Sequence, residues 1–212
     1  FPSALANEVR GVVCLGETAN PVGNIDDLDY VTIASTGNAV AFGEGYASGQ
    51  QSTAGGSTTR GIYCGGRTPG FNNSIDFITI MTTGNGTDFG DLTTTFASGP
   101  RGQSSNATRM LIYGGANPSS DHVNSITFLT IATLGNSVDF GDISSSAGKA
   151  FCSAMCSKTR GVYAGGRIAP DDSSVNVIEF VEIATTGNTQ DFGDMAQTTE
   201  GSYGASSGHG GL

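Results

Sequence analysis

Two imidazoles, four thiols, two acidic stretches and four evenly spaced arginines are the groups in this chain on which chemistry could be built. His209 follows Ser206-Ser207-Gly208, which invites a serine activated by an imidazole. That chemistry needs the base within hydrogen-bond reach of a hydroxyl held on a rigid strand-to-helix elbow. Glycines surround His209, so a strand residue or an exposed tail is expected instead. His122 falls in a loop, and two histidines in these contexts do not supply the Tyr and His ligands of a copper oxidase. The acidic stretches Asn24 to Asp29 and Ala169 to Ser174 offer oxygen ligands, but neither has the Asp-x-Asp-x-Asp-Gly spacing of a calcium-binding loop. Solvated turns account for both, and no metal or cofactor is expected.

The double glycines Gly65-Gly66, Gly114-Gly115 and Gly165-Gly166 superficially suggest phosphate-cradling loops. Those loops need a helix behind them and a lysine facing the anion. Here Pro-containing loops and another strand pattern follow, so bends at strand ends are expected. Cys14 and Cys64 occupy one slot of a repeated pattern whose other copies hold Tyr113 and Ala164, which marks a packing position. Cys152 and Cys156 lie four apart in an extended segment, too far for a relaxed bridge. Free, packed thiols are expected, with Cys14 to Cys64 the only plausible bridge.

Nine Lys and Arg against 19 Asp and Glu leave a net charge of -10, which argues against binding nucleic acid or an anionic membrane surface. No stretch approaches the ~20 apolar residues that span a bilayer. Beginning at Phe1 rather than Met fits a processed product or a partial chain. Only 13% of residues are charged while Gly fills 33 positions, so hydroxyls and amides must solvate the surface, as is common in all-β extracellular or virion proteins.

The arginines reveal what positions everything else. Arg10, Arg60, Arg109 and Arg160 recur at intervals of 50, 49 and 51 residues. Downstream of each comes LDYVTIASTGN, IDFITIMTTGN, ITFLTIATLGN or IEFVEIATTGN, and then FGE or FGD led by Phe42, Phe89, Phe140 or Phe192. Each repeat predicts four short strands. In the third, Ile75, Phe77 and Thr79 alternate with Asp76, Ile78 and Ile80, so the sheet has apolar groups on both faces and must be covered on both. The expected fold class is all-β: a β-propeller of kelch-like, four-stranded blades of about 50 residues. Four blades are expected, near 1–48, 49–97, 98–147 and 148–199, in one domain over 1–212. Residues 200–212 would be a closing strand that docks on the first blade and displaces or overlaps Phe1 to Asn7. Five or more blades, with part of the chain missing, is the alternative.

The pattern TRGVYAGG, then NVIEFVEIATTGNTQDFGD, finishing in SSGHGGL, resembles the kelch-like repeats of virion structural proteins from tailed phages, particularly marine cyanophages. The resemblance covers essentially the whole chain. The first repeat departs from it, with CLGE for the double glycine and VAFGEG for TDFGDL, so its outer edge is expected to be reshaped. The resemblance implies a non-enzymatic part of an extracellular virus particle, as capsid decoration or as a tail or fibre component. Its expected partners are other virion proteins and a host-surface glycan or protein, with no nucleic acid and no membrane insertion.

A secreted carbohydrate-binding propeller is the alternative, although no aromatic set repeats in the loops. Each repeated arginine is expected to be architectural, pairing with a carboxylate and with turn carbonyls of its own or the adjacent blade. Glu44, Asp91, Asp142 and Asp194 are the repeated acids. A ring of cations for an anionic ligand is the rival reading. The loops after the second strand differ between repeats, and Phe71, Asn72, Asn117, His122, Asp171 and Asp172 are the candidate contact residues there.

Overall fold

A computed structural model describes residues 2–19, 22–46, 49–67, 70–97, 99, 102, 104–119 and 122–206. Among them every regular element is a strand, 18 in all, and every named strand pair is antiparallel. Unit one runs β1 (Ser3–Ala6), β2 (Arg10–Ala19), β3 (Val22–Thr32) and β4 (Val40–Glu44), paired in that order. Unit two repeats it with β5 (Thr53–Gly56), β6 (Arg60–Cys64), β7 (Asn72–Thr79) and β8 (Thr87–Phe96). Unit three has β9 (Arg109–Tyr113), β10 (Ser125–Thr130) and β11 (Val138–Asp142), and its first strand is reduced to one bridge, Ser105 to Met110. There the hydroxyls of Ser104 and Ser105 bond to Leu111 O and, across the joint, to Gly56 O.

After β12 (Lys149–Ala150), unit four begins with β13 (Ser153–Cys156) and β14 (Arg160–Ala164). The loop that follows carries β15 (Arg167–Ile168) and β16 (Ser173–Ser174), which form a small sheet with β12. β17 (Val177–Glu182) and β18 (Gln190–Asp194) complete the unit.

Short side chains set the first turn of each unit. Asn7, Ser57, Asn106 and Ser157 stand three residues before the four arginines and accept hydrogen bonds from their backbone N–H groups at 2.8–3.2 Å. At the end of β6, Gly65 and Gly66 take φ of 66° and 100°, the bend expected of the double glycine. Unit one lacks that pair. Leu15 takes the left-handed φ of 59° in a bulge, and the hairpin runs on past it, with Gly16 opposite Ile25 and Thr18 opposite Gly23. The acidic stretch Asn24 to Asp29, expected as a turn, is therefore strand.

Consecutive units pack face to face. Leu5, Val12, Leu28 and Phe42 of unit one meet Ala54, Tyr63, Ile78 and Ile80 of unit two. Ile62, Ile75 and Phe89 meet Met110, Leu129 and Ile131; Leu111, Ile126 and Phe140 meet Tyr163, Val181 and Ile183. The two faces of β7 thus serve two neighbours, which is why its residues are apolar on both sides.

A backbone clasp accompanies each cluster. Gly84, Gly135 and Gly187 of the Thr-Gly-Asn or Leu-Gly-Asn turn donate to Phe42 O, Phe89 O and Phe140 O of the preceding unit at 2.7–2.9 Å. In return, the backbone N–H groups of Glu44, Asp91 and Asp142 donate to Oδ1 of Asn85, Asn136 and Asn188 at 3.0–3.1 Å.

Three joints link four units, and the described residues contain no apolar cluster between the first unit and the last. Of the expected closing strand at 200–212, residues 207–212 lie outside the described residues, and the described part is not paired with a strand of unit one. β2 is paired with the unit's own β1. Residues 202–206 lie against β13 instead, with Ser202 Oγ 2.9 Å from Ser153 Oγ and Ser206 Oγ 3.3 Å from Cys156 Sγ.

The clasp explains the glycine of FGD. A Cβ added at Gly141 would fall 2.4 Å from Gly187 O, whereas one at Gly193, at the end of the stack, meets nothing within 4 Å among the described residues. Both have positive φ, 148° and 135°, so the backbone strain of alanine is shared. Gly141→Ala should therefore lower stability by about 1–3 kcal/mol more than Gly193→Ala, the usual cost of overpacking. Equal losses in chemical denaturation would show that the clasp contributes nothing.

Candidate functional site

The repeated arginines tie one unit to the next. Each guanidinium lies over the aromatic ring of its own third strand: Arg10 over Tyr30, Arg60 over Phe77, Arg109 over Phe128 and Arg160 over Phe180, at 4.2–4.6 Å. From that platform Arg10 Nη1 donates to Ile80 O at 3.1 Å, Arg60 Nη1 to Ile131 O at 2.7 Å and Arg109 Nη1 to Ile183 O at 2.8 Å. Each acceptor belongs to the following unit.

The carboxylate half of the expected pairing differs. Only Arg160 takes one, donating through Nε and Nη2 to Glu182 Oε1 of its own unit at 3.0 and 2.7 Å. Glu44, Asp91, Asp142 and Asp194 are exposed, and none of them pairs with an arginine. The first three act at the joint through their backbone amides.

Between units three and four lies a buried polar cluster that strand periodicity did not flag. Glu179 on β17 accepts from Lys149 Nζ at 2.5 Å and Thr189 Oγ1 at 3.0 Å, and also from Tyr113 and Ser144 hydroxyls. Lys149 is one of only two lysines in the chain, and both ions are almost wholly enclosed. Burial opposes the charge on Glu179, but the hydrogen bonds from Lys149, Ser144 and Tyr113 hold its carboxyl below the ordinary range. With donors on both oxygens, this is a satisfied structural pair.

Asp76 holds the equivalent place in unit two without those donors. It is buried, its Oδ1 has no hydrogen-bond partner, and burial together with the nearby Asp88 pushes its carboxyl from the ordinary 3.8 up to about 7. The four cysteines are free and buried, and burial raises Cys14 and Cys152 to about 12, away from thiolate chemistry.

The loop candidates fall after the second strand of each unit, hence at one end of the stack. His122 and Asp172 come together across the joint between units three and four, Nε2 to Oδ1 at 3.2 Å, with the imidazole nearly enclosed and the carboxylate exposed. Asp171 turns back on its own loop and accepts from Ser173 N and Oγ, and those bonds lower its pKa. Phe71 lies 5.0 Å under the Arg67 guanidinium. Asn72 opens β7 with its N–H on Gly66 O, and Asn117 Oδ1 accepts from Ser119 N. Asn117 follows Ala116, which bridges to His122, whereas Phe71 and Asn72 belong to the loop of unit two. His209 lies outside the described residues. Among those described, no three His, Cys, Asp or Glu side chains are grouped to hold a metal.

A cavity of about 550 Å³ opens beside the first strands, bounded by Ser3 to Ala6, Val13, Val31, Ser52 to Ala54 and Tyr203 to Ser206. Its described lining has hydroxyls but no carboxylate, imidazole, amine or thiol.

The two buried acids give opposite pH slopes. Between about pH 4 and 7 the folded chain binds the Asp76 proton more tightly than the unfolded chain does, so stability falls as pH rises through that window and then levels. Glu179 acts below its ordinary range, where stability is lost as pH falls. Asp76→Asn should raise stability at pH 8 by on the order of 2–4 kcal/mol and flatten the curve between pH 4 and 7. Urea titrations across pH 3 to 9 would show it, and an unchanged slope would remove Asp76 as its source.

No protein-family model matches the chain, and no curated protein sequence does. Its shape does match solved chains. One, described as "Structure of YjhT", superposes with a TM-score of 0.78 at 11% identity, covering 96% of this chain and 73% of that one. At that identity the likeness speaks for the fold alone.

Proposed function

We propose that the units are blades of a kelch-like propeller, and that the chain is a non-enzymatic structural component of a phage-type virion, placed on the particle as decoration or in a tail or fibre. The observation that carries this reading is four equivalent strand frames holding four unlike loops. Unit one has a continuous hairpin past Leu15, and unit two has Arg67 stacked on Phe71. Unit three has the Asn117 turn and His122, and unit four has the β15–β16 ribbon. A frame held constant under variable loops suits recognition by surface contact. The main cavity, whose described lining lacks acid, base and thiol, supports the same reading. Face-to-face packing of four-stranded units, each covered on both sides inside the stack, supports the propeller.

Immunogold labelling of purified particles with an antibody to this chain tests the proposal. Labelling at fixed places on the particle is expected; signal confined to the soluble fraction would overturn it. Sugar binding on a glycan array without any labelling of particles would move the reading to the lectin alternative.

A further inference from the structure

The two ends of the stack expose the two halves of one joint. Val13, Val31 and Ile33 of unit one are 45%, 40% and 57% exposed. Their equivalents in unit two, Tyr63, Ile78 and Ile80, are 1–2% exposed because unit one covers them. At the other end Phe192 is 54% exposed, while Phe42, Phe89 and Phe140 are 2–3% exposed beneath the following unit. The polar parts divide the same way. Arg160, with no following unit among the described residues, folds back on Glu182, whereas Arg10, Arg60 and Arg109 reach Ile80, Ile131 and Ile183. The place equivalent to those acceptors in unit one is Ile33, and the place equivalent to the Gly84-Asn85 turn is Gly37-Asn38. Gly193, which has room for a Cβ, is the clasp glycine whose partner turn is missing.

We propose that unit four of one copy seats unit one of a second copy, head to tail, through the joint this chain already makes three times. Arg160 leaves Glu182 for Ile33 O, the Gly37-Asn38 turn enters the clasp at Phe192 to Asp194, and Val13, Val31 and Ile33 cover Phe192. Residues 202–206 already stand in the first-strand place beyond β13, as the 2.9 Å Ser153–Ser202 contact repeats the 2.9 Å Ser3–Ser52 contact. The incoming unit therefore pairs its β2 with them in exchange for its own β1, a swap of equivalent strands. A heterologous contact of this kind closes into a ring or continues as a string. The proposal is independent of whether the copies sit on a virion.

Sedimentation velocity on the purified chain over about 1 to 100 µM covers the affinities such contacts usually have. The expected result is particles of two or more chains, growing with concentration. Ile33→Asp and Phe192→Asp alter opposite ends at side chains more than half exposed, so each should stay monomeric alone with an unchanged melting temperature. Mixed together, they should form a dimer and nothing larger, because each retains one intact half. A chain ending at Gly201 should associate more weakly, and equal or tighter association would remove the strand exchange. A monomeric wild type at the top of the range, or variants that associate as the wild type does, would overturn the proposal and assign these faces to further units of the same protein or to another repeat-bearing chain.

Discussion

A four-stranded sheet that is apolar on both faces has no stable state in water by itself, and every other feature of this chain answers that constraint. Burying the faces requires a neighbour on each side, and the cheapest neighbour is another copy of the same unit. The repeat of about 50 residues is thus the sequence form of a packing requirement. What then needs explanation is how neighbours are held in register, because apolar contact alone has little direction. The arginine and the glycine clasp supply it. A guanidinium lying on its own strand's ring has few alternative positions, and its Nη1 selects one carbonyl of the next unit. At the other strand edge, Gly43, Gly90 and Gly141 let the next turn come so close that any side chain would block it.

The three joints share this frame but differ in one buried slot. Cys14 with Asp76, Cys64 with Thr127, and Tyr113 with Glu179 occupy it in turn, by the register of the repeats. Only the last pair is provided with a counter-charge, Lys149, and with hydroxyls on both carboxylate oxygens. A buried ion pair of this kind contributes little against an apolar alternative, but losing one partner is costly. Asp76 shows that other condition inside the same protein: a carboxyl enclosed without donors, held protonated well above its ordinary range. Equivalent positions in a repeat are therefore not energetically equivalent, and Asp76 gives the joint between units one and two a response to pH near neutrality.

Much of the frame was legible in the residues. The alternation of Ile75, Phe77, Ile78 and Ile80 located a strand covered on both faces, and the Gly-Asn pairs located the turns. The recurrence of Arg10, Arg60, Arg109 and Arg160 marked them as structural. Their acceptors were not legible, because backbone carbonyls carry no sequence signal and the partner lies about 70 residues on. That invisibility made the repeated acids look like the obvious partners. Lys149 and Glu179 were missed for a related reason: a strand pattern treats Glu179 as one polar residue among alternating positions. The scarcity of lysine was the available clue. Unit one's long hairpin was only half visible, since loss of the double glycine announces a missing bend but not that Leu15 can adopt a left-handed bulge in its place.

Stability in a stack of this kind is a sum over units and nearest-neighbour joints. Units two and three each engage two joints, and units one and four engage one, so the ends open before the middle. The polar cluster around Glu179 lies in the joint that secures unit four, and the segment at 202–206 adds a second contact to the same unit through Ser153 and Cys156. Unit one has neither; it is held by β1, the Leu5 cluster, the Arg10 tie, the clasp at Phe42 and Glu44, and hydrogen bonds from Ser3, Asn7 and Asn24 to unit two. The stack accordingly has a buried ion pair at one end and neutral hydrogen bonds with the Arg10 tie at the other, and its loops, which cluster at one end of the sheets, ride on whichever unit holds them. Asp172 reaches back to His122 of unit three, so this loop contact crosses the same joint that holds the Lys149–Glu179 pair, while Asn24 to Arg67 O and the Ala97–Ala116 bridge cross the other two.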